Sequence, residues 1–479
     1  MKGDFTRDTF DAKKRYLRVL LQQGRVSVDA DWNEQVAILL HRLETLARDL
    51  IGPYGGPEGE CGFAILPDDK NGPLRNDFRI GTGRYYVDGL LCENDHEDLT
   101  FSRQLPEHTR EQLRSGPAYL IYLDAWEEYV SADEDPSRRE IALGGPDTAG
   151  RSKVMWRVRA WELDERWVRA FAPREGSKGF TNDKIDEAWP DIVRNWQHNR
   201  GRLKVRVADP AAAEDLLPAI VSPNSRYRGA ENHLYRVEVH HSGHAAAGDS
   251  VGSAGEVGAN IATFKWSREN GSVLFPVISI SGPILTLRNL GSDLRSMLAI
   301  GDWVELIEPH NAVIGRPGHL FRINDIKPLT REITLEVRER DRLPARPEHL
   351  LIRRWDQKAR PEHRRGRPLH DGAVVIVEGD QESNWLTLED GIHIQFQRGE
   401  NHYRNGDYWL IPARIADGGI VEWPDDERGR PLAAAPHGVT HRYAPIGIVT
   451  FGAAGTVDIE CYSRIAFRMS LDRPSLTRA

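Results

Sequence analysis

From Trp32 onward, apolar residues recur at helical spacing. Val36, Leu39, Leu40, Leu43, Leu46 and Leu50 define one apolar face, and Gly52-Pro53 supplies a stop. The pattern predicts an amphipathic helix from about Trp32 to Ile51. Asp31 stands where an N-cap belongs, and Glu34, three residues on, completes a capping box. The segment before it, Gln22 to Val28, reads as a short apolar strand. The first twenty residues scatter Phe5, Phe10, Tyr16, Leu17, Val19 and Leu20 among charges, which predicts an arm lying on another surface and ending in a short helix.

After the Gly55-Gly56-Pro57-Glu58-Gly59 linker the apolar spacing shortens to that of strands. Phe78–Ile80, Gly83–Leu91, Ala118–Trp126 and Val154–Leu163 read as strands, with an acidic loop at Asp133, Glu134 and Asp135 and a helix near Asp183 to Trp196. Ile261–Trp266 and Ser272–Val277 flank Asn270-Gly271, the favoured pair of a two-residue type I′ hairpin. Short strands around Leu285, Val304, Phe321 and Leu335 follow at near-regular spacing, as in a small barrel or sandwich. A basic stretch from Arg353 to Arg367 reads as a solvated linker to further strands near Val375, Ile394, Leu410 and Ile448. The expected fold is mainly β, several small sandwich- or barrel-like domains with one N-terminal amphipathic helix. The expected division is an arm and docking helix at 1–54, then β domains at 60–200, 201–345 and 346–479.

The chain's 479 residues, 39% hydrophobic and 28% charged, are those of a globular protein. A net charge of −8 argues against nucleic acid as the main partner. No run approaches the ~20 apolar residues of a membrane span, and Met1-Lys2-Gly3-Asp4-Phe5 lacks a signal peptide's apolar core. Synthesis and residence in the cytoplasm are expected unless a dedicated machine exports the protein. Cys61, Cys92 and Cys461 form no C-x-x-C pair.

Candidate chemistry is sparse. Asp29-x-Asp31-x-Asn33 imitates the start of a calcium loop, but Glu34 and Leu40 occupy the places that need Gly and Glu, so capping explains the acids better. His240, His241 and His244 lie in a small polar stretch running to Gly258, read as a flexible loop and therefore a poor metal cage; His437 and His441 lack further ligands. Asp124, Glu127, Glu128 and the acidic loop, with Tyr119, Tyr122, Trp126 and Tyr129 nearby, are the only hint of a glycan cleft, which would need two carboxylates at a set separation. Gly81-Thr82-Gly83 lacks the third glycine of a nucleotide loop. No cofactor, metal or catalytic residue is expected.

The strings Gly3-Asp4-Phe5, Gln22-Gln23-Gly24-Arg25-Val26 and Asp29-Ala30-Asp31-Trp32-Asn33-Glu34-Gln35 resemble the opening of a bacterial family of unknown activity. Its members are often encoded in gene clusters for phage-tail-like contractile injection systems. Tyr85–Gly89, Glu140–Thr148, Thr263–Val273 and Gly406–Arg414 extend the resemblance over most of the chain. It implies a particle-associated protein with other particle proteins, or copies of itself, as partners. The leading expectation is a structural baseplate- or fibre-like component docking through Phe5, Phe10, Trp32, Val36, Leu39, Leu40 and Leu43. The alternatives are a carried effector enzyme, such as a glycan-directed one, and a glycan-binding appendage.

Overall fold

Three hydrophobic cores are nested along the chain like brackets in the computed structural model. The structure describes residues 1–69, 72–145, 147–172, 180–197, 200–207, 226–246, 260–291, 293, 295–308, 315–339, 341, 343–344, 347, 349–358, 369–399, 401–462 and 465–467.

The outermost bracket opens with helix α1 (Asp29–Ile51), strand β1 (Tyr54–Pro57) and the hairpin β2 (Gly83–Val87) and β3 (Leu90–Asn94). It continues with the long hairpin β4 (Tyr119–Val130) and β5 (Arg151–Glu162), then helices α2 (Glu165–Phe171) and α3 (Asn182–Trp196). The middle bracket opens with β6 (Leu203–Val207), β7 (His233–His241) and β8 (Thr263–Ser267). Inside it sits a closed six-stranded barrel: β9 (Leu274–Ser281), β10 (Ile284–Leu287), β11 (Trp303–Ile307), β12 (His319–Lys327), β13 (Glu332–Glu336) and β14 (Leu351–Trp355). The middle bracket closes with β15 (Ala373–Val375), β16 (Leu386–Thr387), β17 (Ile392–Phe396) and β18 (Tyr408–Arg414). The outer one closes with β19 (Arg442–Phe451) and β20 (Val457–Tyr462).

The mainly β class, the barrel and the N-terminal helix match the expectation. Hydrogen bonding, however, crosses the expected divisions. β19 pairs with β4, Ile448 opposite Leu120, to complete the sheet β20-β19-β4-β5. β6 pairs with β17, and the central sheet runs from Leu369–His370 through β15, β8, β7 and β18 to Ile420–Val421. Periodicity marks a strand and its buried face but not its neighbour, so a linear reading divides the chain where the polymer merely passes from one core to the next.

Asn270-Gly271 shows the same effect. Both residues adopt positive φ, 50° and 66°, as a type I′ turn requires. The flanking strands are not partners: β8 pairs with β7 and β15, and β9 pairs with β10 and β14. The turn carries the chain from the central sheet into the barrel. The basic stretch is corrected too, because Arg353 and Arg354 lie buried in β14; its continuation, residues 359–368, falls outside the described residues.

Candidate functional site

The N-terminal arm is built into the body. Asn270 donates from Nδ2 to the carbonyls of Met1 (3.1 Å) and Gly3 (2.9 Å), and Arg236 donates to Met1 O at 3.3 Å. Gly3 is buried, and a Cβ there would press on the Phe5 and Tyr129 rings. Phe5 meets Tyr129 edge-on at 5.7 Å between centroids. The sequence could not show this, since the cradle is assembled from segments hundreds of residues apart.

Beneath the arm lies an ionic layer between the central sheet and the barrel. β7 is buried on both faces. Tyr235, Val237 and Val239 enter the middle core, while Arg236, Glu238 and His240 point into this layer. Glu238 binds Lys2 at 3.0 Å, Arg236, and Lys265 at 3.5 Å. Lys265 also binds Glu305 at 2.7 Å, and Trp355 Nε1 donates to Glu305 at 2.8 Å. Burial alone would raise the Glu238 carboxyl, but Lys2, Arg236 and Lys265 hold it well below the usual carboxylate range. Burial likewise opposes charge on Glu305, yet Lys265 and Lys2 bring it down to about 2. Burial pushes His240 well below its ordinary value, so it is neutral.

This corrects the reading of His240 as part of a flexible loop: it is an interior strand residue. His244 turns to the Asn401 carbonyl, 3.1 Å from Nδ1; residues 247–259 of that stretch lie outside the described residues. His437 stacks on Tyr408, and His441 bonds Asp124 at 2.6 Å. Among the described residues no group of three or more His, Cys, Asp or Glu side chains could hold a metal ion.

The acids considered for a glycan cleft are engaged elsewhere. Asp124 is buried between His441 and Arg159, the latter at 2.7 Å. Glu127 accepts from Ser152, Glu128 from Trp126, Glu134 from Ser131 and Asp133 from Arg139. Tyr122 packs in an aromatic cluster with Trp189, Trp196 and Tyr443 beneath α3. These are packing and ion-pair roles.

Helix α1 begins at Asp29, not at Trp32, and Val28 is its N-cap with no side-chain cap bond. The expected capping box is absent because Asp31 lies inside the first turn, while the arm engages Glu34 and the neighbouring Asp29. Thr6 N and Oγ1 donate to Asp29, and Thr9 Oγ1 donates to Glu34 at 2.6 Å. Phe10 lies on His41, 5.7 Å between centroids, and Val19 N donates to Gln35 Oε1 at 2.8 Å as the arm returns. The arm therefore runs out along α1 and back to its start.

The helix faces the body with a narrow side made of Ala30, Ile38 and flanking polar residues. Ala30 and Ile38 are each 2% exposed. Glu44 binds Arg442 at 2.6 Å, and Arg48 binds Asp88 at 2.7 Å. The close approach is made possible by Gly89, in the Asp88-Gly89 turn between β2 and β3 (φ 49° and 84°). A Cβ at position 89 would collide with the Glu44 carbonyl. Gly89→Ala is expected to cost about 1–3 kcal/mol through strain and collision, with faster amide exchange in the second half of α1. Thermal unfolding and hydrogen exchange check this; an unchanged exchange pattern would remove Gly89 from the docking.

The leucine-rich face consequently points outward. Trp32 is 72% exposed, Leu43 61% and Leu50 75%, with Val36, Leu39, Leu40 and Leu46 also exposed. Tyr16, Leu17, Leu20 and Leu21 of the arm are exposed as well. Of the residues expected to dock a partner, Phe5 and Phe10 are occupied within the chain, while Trp32, Val36, Leu39, Leu40 and Leu43 lie open. Together these side chains leave an apolar face of the helix outside the body.

The architecture is thus a nested β protein with an arm-tethered helix presenting an apolar face. The chain matches the family of unknown function DUF6519 over residues 1–170 and 179–478, and it belongs to that family. No curated protein and no solved structure matches it. No helix among the described residues is long and apolar enough to cross a membrane.

Proposed function

We propose that this protein is a structural component, baseplate- or fibre-like, of a contractile phage-tail-like injection particle, docked through its N-terminal arm and α1. The observation that carries the reading is the orientation of α1, which gives its Ala30 and Ile38 side to its own body and its leucines to solvent. The resemblance of the arm and helix strings to proteins encoded beside such particles supplies the setting. The engaged carboxylates and the packed aromatics of the outer sheet offer no support for an effector enzyme.

Deleting the arm is a poor test, because Lys2 and Gly3 belong to the ionic layer and its lid. The test is Leu43→Glu/Leu46→Glu in the full chain, expressed with the genes of a particle cluster. The variant should fold as the parent does, with its content of purified particles reduced by on the order of a hundredfold, as expected when two anchor leucines are lost. Particles carrying the variant at the parental level would overturn the reading.

A further inference from the structure

The exposed face of α1 has the spacing of a coiled-coil seam. Trp32, Val36, Leu39, Leu43, Leu46 and Leu50 follow one another at intervals of 4, 3, 4, 3 and 4 residues. This is an unbroken run of d and a positions. All six are exposed, between 38% for Val36 and 75% for Leu50. At 100° per residue they centre on the side of the helix opposite Ala30, Ile38 and Arg48, which meet the body. The helix is already held by its own fold, so the seam does not need a partner for α1 to form.

We infer that the occupant of this seam is a second copy of the chain, its α1 packed alongside in the same direction. This rests on the reading of α1 as a docking element and names what docks there. Three observations favour it. First, a strict 3-4 spacing is self-complementary, since each a or d side chain fills the hole left by four residues of an identical helix. Second, the flanks suit a parallel pair. The g positions are Gln35, Arg42 and Asp49, and the e positions are Asn33, Leu40 and Ala47. A parallel pair sets position 35 beside 40 and position 42 beside 47 of the other copy, with no like charges facing. An antiparallel pair in full register would set Arg42 against its own copy, which costs energy. Third, the six seam residues and Leu40 together expose roughly 700–800 Å² per copy, about one side of a standard interface. A lipid surface fits less well, because an interfacial helix carries Lys and Arg along its polar face, and here the side opposite the seam is spent on the body.

Val19 bonds Gln35 at a g position, so the returning arm runs along one margin of the seam. Leu17, Leu20 and Leu21 are exposed on that arm and would extend the contact.

The experiment is light scattering coupled to size exclusion on the purified full chain at tens of micromolar, with no particle proteins present. The expected mass is that of two chains. Leu39→Glu/Leu43→Glu should weaken self-association by on the order of a hundredfold or more while the circular dichroism and melting temperature stay at parental values. A parental monomer, or an oligomer that the substitutions leave intact, overturns the inference; in either case incorporation into particles is measured separately and stands or falls alone. Direction is read with Leu46→Cys, a d position that meets its own copy only in a parallel pair. An oxidised dimer not formed by the parent chain is expected. Its absence at unchanged dimer mass overturns the parallel arrangement.

Discussion

Replacing Glu238 with alanine is expected to lower the stability of the middle core by about 3–5 kcal/mol, the range for removing one partner of a buried ionic group. Glu238 is 2% exposed and holds three cations at once: Lys2 from the arm, Arg236 from its own strand and Lys265 from β8. Its loss leaves Lys265 with Glu305 and with the Trp355 ring, 4.4 Å from Nζ to centroid, but leaves Lys2 without its anion. The urea midpoint should fall and residues 1–10 should become accessible to protease. A midpoint within experimental error of the parent would show that the layer relaxes and rehydrates at little cost.

The same geometry fixes a pH dependence. Glu238 and Glu305 both titrate below the ordinary carboxylate value in the folded state, Glu305 at about 2. The unfolded chain therefore binds more protons than the folded one between the ordinary pKa of about 4.5 and the folded values. The stabilisation they contribute is complete above pH about 4.5 and is lost as the pH falls toward about 2. Glu305→Gln should flatten the dependence of the urea midpoint on pH across that window.

Local patterns were legible in the sequence wherever a few neighbouring residues decide the outcome. The leucine spacing gave α1, the apolar, β-prone run Ala118–Trp126 gave an interior strand, and Asn270-Gly271 gave a left-handed turn. What the sequence withheld was partnership. The two sides of the Asn-Gly turn belong to different sheets, and β4 finds its neighbour β19 some three hundred residues on. Charge was misleading for the same reason. Arg236, Glu238 and His240 alternate with Tyr235, Val237 and Val239, which in one chain looks like a half-exposed strand; only the barrel packed against it makes the polar face an interior one. Asp31 and Glu34 read as a capping box because nothing local announces that the helix starts at Asp29 or that Thr6 and Thr9 will engage Asp29 and Glu34. The leucine face was read as a docking surface, and in the structure it does not pack on the protein's own β body.

Asn270 links these two levels, and its replacement separates them. The Asn270 side chain joins Arg236 (3.2 Å) to the Met1 and Gly3 carbonyls, so it secures the arm to the ionic layer. Its backbone, at φ 50°, turns the chain from the central sheet into the barrel. Asn270→Gly keeps the turn and removes the cradle. A loss of about 1–3 kcal/mol is expected from the hydrogen bonds that the Met1 and Gly3 carbonyls and Arg236 lose, with residues 1–10 exchanging their amides faster. Asn270→Val removes the cradle and also forces a β-branched residue to positive φ, so it should cost about 1–3 kcal/mol more than the glycine variant. If the arm serves only itself, the leucine seam of α1 will be unaffected by Asn270→Gly. Because Thr6 and Thr9 tie the arm to Asp29 and Glu34, its release should instead loosen the first two turns of the helix, where Trp32 and Val36 begin the seam. Hydrogen exchange over residues 29–36 in the glycine variant decides it: unchanged protection there would confine the arm's role to closing the ionic layer.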